Sequence, residues 1–388
     1  MDLSRIYNWE MPTRLVFGPG CSRGVGEELK ALGGSKALLV TDRGVRDAGV
    51  LSGILESLET AGVACTVYDG VEPNPSVQCV EQAAALYRQE GCDCLLAVGG
   101  GSSMDTAKVA GARLTNPTVG VREMQGRDKF RNPIPPFVAI PTTCGTGSEV
   151  TVAAVITDGD THFKMGIRSP FFAPKAALID GTLLTGLPSP VVASTGMDAL
   201  CHALESYTNL NANPVSDALD LAAISLISRW LRPAVANGNL EAMSYMALAS
   251  TMAGMGFSNT QVTIVHSMSH PVSGFHGVPH GAANAILLPY VMEFNLIGNA
   301  RRFRDIARAM GEDTRGLTDM EAARLSVKAV RELNRDVGIP ETFEPYGVTL
   351  EHLDAMVEDT FKSASVPLNP VRVNREQVRS IYLRAIGR

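Results

Sequence analysis

The feature that most limits the possible folds is a change of hydrophobic periodicity near residue 184. Before it, short apolar runs alternate with helical stretches, a βαβ pattern. The runs are apolar throughout, as in a parallel sheet covered on both faces: KALLVTD (36–42), ACTVYDG (64–70), CLLAVGG (94–100) and FVAIPTT (137–143). Beyond Pro188 and Pro190 only long helical periodicities follow. The sequence therefore predicts a doubly wound α/β domain over residues 1–183 and an all-helical domain over residues 184–388.

Size and charge exclude several classes of protein. The 388 residues suffice for two domains, and a net charge of −6 with no basic stripe argues against nucleic acid as a partner. No apolar run reaches the roughly 18 residues that a membrane span needs, and no signal peptide pattern opens the chain. An odd count of seven cysteines favours reduced thiols, and hence a cytoplasmic protein.

A glycine-rich segment, VGGGSSMDTAK at residues 98–108, follows an apolar strand and opens a helix. Consecutive glycines let a pyrophosphate approach the backbone, and the N–H groups at a helix start attract phosphate. The glycines match neither GxGxxG nor Walker A, so a simple tight turn remains an alternative. Asp105 and Lys108, just inside the helix, favour the phosphate site slightly.

Two further segments suit a dinucleotide. PTTCGTGSE at residues 141–149, which includes Thr146, places hydroxyls and glycines directly after a strand, where they can bind phosphate, ribose or amide groups. Asp42 ends the strand KALLVTD and can accept hydrogen bonds from a ribose while repelling a 2′-phosphate, which favours NAD over NADP. The alternative for Asp42 is a helix N-cap. Glu149 is interpreted as structural.

A metal site is indicated by GMDALCHALESY, in which Asp198 and His202 are four residues apart and share one face of a predicted helix. The segment HSMSHPVSGFHGVPH adds four histidines, at positions 266, 270, 276 and 280, which is more than one site needs. A carboxylate with several imidazoles suits Fe²⁺ or Zn²⁺.

In this order and at these separations, GGGSSMDTAK, PTTCGTGSE, GMDALCHALESY and the histidine segment resemble the iron-containing alcohol dehydrogenases. The likeness covers nearly the whole chain. It implies a dinucleotide-binding first domain, a metal- and substrate-binding second domain, and the architecture that this family shares with dehydroquinate synthase. Small departures occur: Cys201, beside a predicted ligand, raises the hypothesis of sensitivity to oxidation.

The resemblance also implies roles for individual residues. It identifies the metal ligands as Asp198, His202, His266 and His280, and it places His270 near the nicotinamide as a catalytic residue, with His276 as a second catalytic candidate in the substrate pocket. The positions that match cofactor contacts are Asn74, Gly99, Gly100, Gly101, Ser102, Ser103, Asp105, Thr142, Thr143, Thr151, Lys164 and Leu183.

The expected activity is hydride transfer between NAD(H) and a small primary alcohol or aldehyde, dependent on Fe²⁺ with Zn²⁺ as the alternative metal, in a homodimer or larger homo-oligomer. The alternative functions are a zinc-dependent enzyme like glycerol dehydrogenase or dehydroquinate synthase, and a non-catalytic regulator that binds NAD or metal.

Overall fold

The computed structural model describes residues 5–159 and 163–388, which form two compact units. One unit spans residues 11–186. The other contains residues 187–388 together with the residues up to Glu10. The sequence did not predict that residues up to Glu10 belong to the helical unit. Hydrogen bonds account for this assignment: the Glu10 amide donates to the side chain of Asn259 (2.9 Å), and the Asn259 side chain donates to the Glu10 carbonyl (3.1 Å). In addition, Arg5 donates to the Leu210 carbonyl.

The α/β unit is organised by a six-stranded parallel sheet with the order β1-β9-β6-β4-β2-β3. A smaller sheet has the order β5-β8-β7, in which β7 and β8 are antiparallel. The strands are β1 (Arg14–Phe17), β2 (Lys36–Val40), β3 (Ala64–Tyr68), β4 (Cys94–Gly99), β5 (Gly126–Arg127), β6 (Phe137–Pro141), β7 (Ala153–Thr157), β8 (Lys164–Arg168) and β9 (Ala176–Ile179).

Two hydrophobic cores explain why the central strands are apolar on both faces. In β4, Leu95 and Ala97 pack into one core, and Leu96 and Val98 pack into the other. The helices of this unit are α1 (Val25–Ala31), α2 (Arg43–Asp47), α3 (Ser52–Ala61), α4 (Val77–Glu90) and α5 (Gly101–Thr115). Helices α4 and α5 contribute to the first core, and α1 and α3 to the second. The predicted doubly wound parallel sheet is confirmed.

The second unit is helical, as predicted. Its helices are α6 (Ser189–Thr208), α7 (Pro214–Asn237), α8 (Leu240–Thr260), α9 (Ile264–His276), α10 (His280–Asn295), α11 (Ala300–Ala309), α12 (Asp319–Asp336), α13 (Leu353–Thr360) and α14 (Arg375–Ile386). Helix α10 packs on both α6 and α9, and these three helices carry the predicted metal ligands. Across residues 5–159 and 163–388, every helix is too short or too polar to qualify as a membrane span.

Candidate metal centre and cofactor loops

The predicted ligands meet in the interior of the helical unit. Asp198 and His202 lie one turn apart on α6, His266 lies in the first turn of α9, and His280 is the first residue of α10. The Nε2 atoms of His266 and His280 lie 3.7 and 3.9 Å from Asp198 Oδ1. Two ligands bonded to one ion at about 2.1 Å can be at most roughly 4.2 Å apart, so these separations suit a shared ion.

His202 completes this group, because one ligand atom from each of Asp198, His202 and His266 lies within 4.8 Å of the others. All three residues are buried. The His202 ring stacks between Phe257, with centroids 4.2 Å apart, and His266, at 4.5 Å. These aromatic contacts fix the plane of the His202 imidazole.

The electrostatics of the site favour a cation. Burial acts to raise the pKa of Asp198, but the charges of His202, His266 and His280, with a hydrogen bond from His266, hold it well below its usual range. The carboxylate therefore stays ionised in a buried setting, which is unfavourable unless positive charge is close by.

Asn284, one turn after His280 on α10, marks the centre of this group. Its Nδ2 atom lies 2.7 Å from Asp198 Oδ1, 3.0 Å from His266 Nε2 and 3.2 Å from His280 Nε2. Its Oδ1 atom is buried, and no hydrogen-bond partner for it is found among the described residues. Three ligand atoms thus converge on one positively polarised group, and this arrangement fits a bound cation.

A second group of metal-binding type, Cys201, Glu205 and His266, shares His266 with the first through its other ring nitrogen. This group suits an ion less well, because His266 Nδ1 and Glu205 Oε2 lie 2.5 Å apart, which is a hydrogen-bonding distance. Burial and the charge of Glu205 raise the pKa of the Cys201 thiol to about 12, which keeps this thiol protonated. The same protonation makes Cys201 unreactive, which argues against the predicted sensitivity to oxidation.

The two remaining histidines of α9 have different surroundings. His270 is half-buried, and its ring centroid lies 5.3 Å from that of His280 and 6.3 Å from that of His266. His276 instead lies against His352 (5.4 Å), and burial together with that neighbour lowers its pKa. The structure therefore places His270, rather than His276, beside the predicted ligands.

In the α/β unit, the carboxyl ends of the neighbouring parallel strands β2, β4 and β6 bring three predicted cofactor segments to one edge of the sheet. These segments are Asp42 after β2, Gly99–Ser103 after β4 and Thr142–Thr146 after β6. The strand order reverses at β2, because β3 lies on one side of β2 and β4 lies on the other. Open α/β sheets bind their ligands at such a reversal of strand order.

The glycine and threonine segments touch each other closely. The amide of Thr142 donates to the Gly99 carbonyl (3.0 Å). A side chain at position 101 would place its Cβ 2.9 Å from the Thr146 methyl, so any larger residue there would displace the Thr146 side chain. Helix α5 begins without a side-chain cap, and the buried Ser103 hydroxyl has no hydrogen-bond partner among the described residues. These features suit an external acceptor such as a phosphate.

Asp42 is an N-cap, the alternative considered from sequence. Its Oδ1 accepts from the Val45 amide at 3.0 Å and so caps α2. Its Oδ2 points toward Gly99, 3.7 Å from the position that a Cβ would take there. One oxygen caps the helix while the other faces the glycine segment, so the two roles are compatible.

Asp105 and Thr151 differ from the prediction of cofactor contacts, because both face inward. The Asp105 carboxylate accepts from the Ser148 hydroxyl (2.8 Å) and the Val155 amide (2.9 Å). The fully buried Lys108 ammonium donates to the Ser148 carbonyl and hydroxyl, to Thr151 Oγ1 and to the Ala153 carbonyl, at 2.7–3.1 Å. This network ties the end of the threonine segment to α5.

Three predicted contacts lie elsewhere in the α/β unit. Asn74 is exposed and adopts a left-handed backbone conformation (φ 57°). It precedes Pro75, whose carbonyl accepts from Thr157, and Thr157 pairs with Lys164 across β7 and β8. Asn74 and Lys164 are thereby brought to one region. Leu183 packs against the core beneath β2, β4 and β6.

Two family models cover most of the chain. That of the iron-containing alcohol dehydrogenases matches residues 12–181, and that of the C-terminal part of the Fe-containing alcohol dehydrogenase family matches residues 192–386. The chain belongs to the iron-containing alcohol dehydrogenase family. It is therefore an oxidoreductase of the alcohol dehydrogenase type.

The relatives agree with this membership over their whole length. The 1,3-propanediol dehydrogenase of Citrobacter freundii is 43% identical over 384 residues, covering 98% of this chain and 99% of the relative. The NAD-dependent methanol dehydrogenase of Bacillus methanolicus is 36% identical, with coverage of 98% and 100%. A crystal structure of 1,3-propanediol oxidoreductase superposes with a TM-score of 0.96 at 42% identity, covering 98% of this chain and all of that one.

In this iron-containing alcohol dehydrogenase, several residues that contact the predicted metal site were not predicted from the sequence. Glu205 lies one turn beyond His202 on the same face of α6, and that spacing could have identified it. Asn284 lies one turn beyond His280 and could have been found in the same way. Phe257 gave no sequence signal, because its contact with His202 depends on how α8 packs.

Proposed function

We propose that this enzyme transfers a hydride between NAD(H) and a small primary alcohol or aldehyde, with Fe²⁺, or alternatively Zn²⁺, held by Asp198, His202, His266 and His280. The observation that carries the proposal is the convergence of ligand atoms from α6, α9 and α10 on one point, where the Asn284 amide lies. One carboxylate oxygen and three imidazoles suit a borderline divalent ion.

Such an ion acts as a Lewis acid, which lowers the pKa of a coordinated hydroxyl and polarises a carbonyl. The protein groups around it supply the rest of the chemistry. The stacked Phe257 and His266 hold His202 in one orientation. We assign proton exchange with the substrate to His270, because its half-buried ring neighbours His280 and imidazole is the side chain best suited to accept and donate a proton near neutral pH.

For the cofactor, we infer NAD rather than NADP. The uncapped start of α5 and the Ser103 hydroxyl suit the pyrophosphate. The second carboxylate oxygen of Asp42 would accept from ribose hydroxyls and repel a 2′-phosphate. The relative named as an NAD-dependent methanol dehydrogenase supports this choice. Gly99–Ser103, Thr142, Thr143 and Thr146 remain the proposed contacts, whereas Asp105 and Thr151 are proposed to act by holding the threonine segment in place.

The relatives reported above are named for 1,3-propanediol and for methanol, which supports a small alcohol as substrate. These relatives favour an alcohol dehydrogenase of the iron-containing family over the zinc-dependent alternatives, which are an enzyme like glycerol dehydrogenase and an enzyme like dehydroquinate synthase. We further propose a homodimer or larger homo-oligomer in a cytoplasmic setting. Strand β1 lies at the end of the six-stranded sheet and leaves Phe17 65% exposed, which suits pairing with a second copy and can be checked by light scattering.

The test combines metal analysis of anaerobically prepared protein with NADH consumption on a panel of short aldehydes. We expect one Fe²⁺ or Zn²⁺ per chain and steady turnover with at least one aldehyde. His280→Ala should abolish both metal retention and turnover while leaving NADH binding intact. His270→Ala should retain the metal and lose turnover.

His352→Ala is the matched control, because His352 lies beside His276 and not beside the predicted ligands. It should behave like the unsubstituted enzyme in metal content. Metal loss in the His270 variant would make His270 a ligand and overturn the assignment. Normal turnover in the His280 variant would discard the assignment of His280 as a ligand.

A further inference from the structure

A buried carboxylate outside the proposed ligand set makes direct contact with one of its members. Glu205 is 3% exposed on α6, seven residues after Asp198 and three after His202, so the three side chains share one helix face. Its Oε2 lies 2.5 Å from Nδ1 of His266. The other imidazole nitrogen, Nε2, faces Asp198 and Asn284.

The remaining oxygen of Glu205 accepts two more hydrogen bonds. Oε1 accepts from the Thr263 hydroxyl (2.5 Å) and from the Val265 amide (2.7 Å). Thr263 and Val265 flank the start of α9, so Glu205 fixes the backbone that presents His266 as well as the ring itself. Oε1 accepts both of these hydrogen bonds. When Nδ1 of His266 carries the proton, Oε2 accepts as well, and both oxygens then act as acceptors, as in an ionised carboxylate.

We propose that Glu205 is the positioning residue of the metal centre: it holds His266 as the Nδ1–H tautomer, so that Nε2 presents its lone pair to the ion. A carboxylate on the outer nitrogen of a ligating histidine fixes the ring orientation and raises the basicity of the ligand nitrogen. Glu205 also adds one negative charge to a set that otherwise contains a single carboxylate and neutral imidazoles. The inference rests on the proposed ligand set.

Glu205→Gln is the informative substitution, because the amide keeps the shape of the side chain but cannot meet all three donors. If the amide oxygen faces His266, its NH₂ group opposes the Val265 amide. If the NH₂ group faces His266, Nδ1 must become an acceptor, and the proton moves to Nε2, where it blocks metal binding. Both arrangements weaken the site.

The experiment measures the dissociation constant for Co²⁺ by competition with a chromophoric chelator, together with the visible absorption spectrum of the bound Co²⁺. We expect Glu205→Gln to weaken Co²⁺ binding about 10- to 100-fold and to change the spectrum, which reports ligand geometry. Glu205→Asp retains the charge on a shorter side chain and should recover part of the affinity.

Asp220→Asn is the control for replacing a buried acidic side chain with its amide in the same unit. Asp220 on α7 is fully buried and accepts from Ser206, away from the predicted ligands. It should leave the Co²⁺ dissociation constant and spectrum unchanged even if it alters thermal stability. A metal-free melting curve of each variant separates folding from metal binding.

The proposal is overturned if Glu205→Gln folds and binds Co²⁺ as tightly as the unsubstituted enzyme, or if Asp220→Asn weakens binding equally. His266→Ala separates this failure from that of the proposed function. If His266→Ala loses Co²⁺ and Glu205→Gln does not, only the positioning role fails. If neither variant loses Co²⁺, the ligand assignment itself is wrong.

Discussion

Gly281, the residue after His280, offers a direct test of whether helix packing sets the geometry of the metal centre. It lies where α10 crosses α6 with the backbones in close approach. A Cβ at this position would lie 2.3 Å from the carbonyl oxygen of Ser194 and 3.3 Å from Cβ of Asp198. We predict that Gly281→Ala displaces α10 from α6 and thereby separates His280 from Asp198.

The size of the displacement follows from these distances. Non-bonded heavy atoms rest at about 3.5 Å, so the added methyl group requires a shift of roughly 1 Å, and the obstructing atom is backbone, which cannot rotate away. Metal–ligand distances tolerate only about 0.2 Å. We therefore expect the dissociation constant for Fe²⁺ or Zn²⁺ to rise at least about tenfold. In the metal-free protein, overpacking should lower the free energy of unfolding by about 1–3 kcal/mol, and the higher helix propensity of alanine should raise it by up to about 1 kcal/mol. The net decrease in the free energy of unfolding is therefore about 0–3 kcal/mol.

Chelator competition gives the metal affinity, and urea unfolding of the metal-free protein gives the stability. Gly53→Ala, on α3 of the other unit, is the control. The nearest atoms to its Cβ are those of Arg23, at 3.8 Å and beyond, so neither the metal affinity nor the free energy of unfolding should fall. If Gly281→Ala binds the metal with unchanged affinity, either α10 does not move as a rigid body or His280 is not a ligand, and the reasoning fails.

Two further predictions concern the α/β unit. Burial lowers the pKa of Lys108 to about 8, against an ordinary 10.5, so between these values Lys108 binds more protons in the unfolded chain, and its contribution to the free energy of unfolding should rise with pH by about 3 kcal/mol at about 1.4 per unit. Cysteines such as Cys65 and Cys201, whose pKa burial raises, have the opposite effect on stability, but they are common to the unsubstituted protein and to Lys108→Met. The unsubstituted protein should therefore gain stability relative to Lys108→Met from about pH 7.5 to 10.5, and urea unfolding that shows the same slope in both proteins would contradict this. Asp42→Ser keeps an N-cap for α2 but removes the negative charge. The ratio of kcat/KM with NADPH to kcat/KM with NADH should therefore increase at least about tenfold, which corresponds to about 1.4 kcal/mol. An unchanged ratio would show that Asp42 does not face the ribose.

The parts of the fold that sequence predicts well are those with strong periodicity. Strands β2, β4 and β6 are continuous apolar runs that end in glycine or polar residues, and the sequence alone predicts both their existence and their functional ends. Strand β8, KMGIR, alternates polar and apolar residues with a central glycine, so its antiparallel pairing with β7 depends on partners that periodicity does not reveal.

The candidate site likewise contains residues whose role the sequence predicts and residues whose role depends on tertiary packing. Asp198 and His202 could be predicted to act together because a helix alone fixes their spacing. Which histidines of the segment 266–280 join them depends on the break between α9 and α10, where Gly277 adopts a left-handed conformation (φ 67°). That break separates His276 from His280. Asp105 could not be distinguished from a cofactor contact, because its direction depends on the tertiary contact with Ser148.

The arrangement of α6, α9 and α10 has a consequence for the lifetime of the enzyme. An ion shared by these three helices would connect segments more than 60 residues apart in the chain, so it would act as a removable crosslink. Because it would bind the folded state in preference to the unfolded one, its loss would lower the free energy of local opening around His266 and His280. Protein that has lost its metal should then be the first to be cleaved by proteases, so metal content would determine how long each molecule persists, as well as its activity.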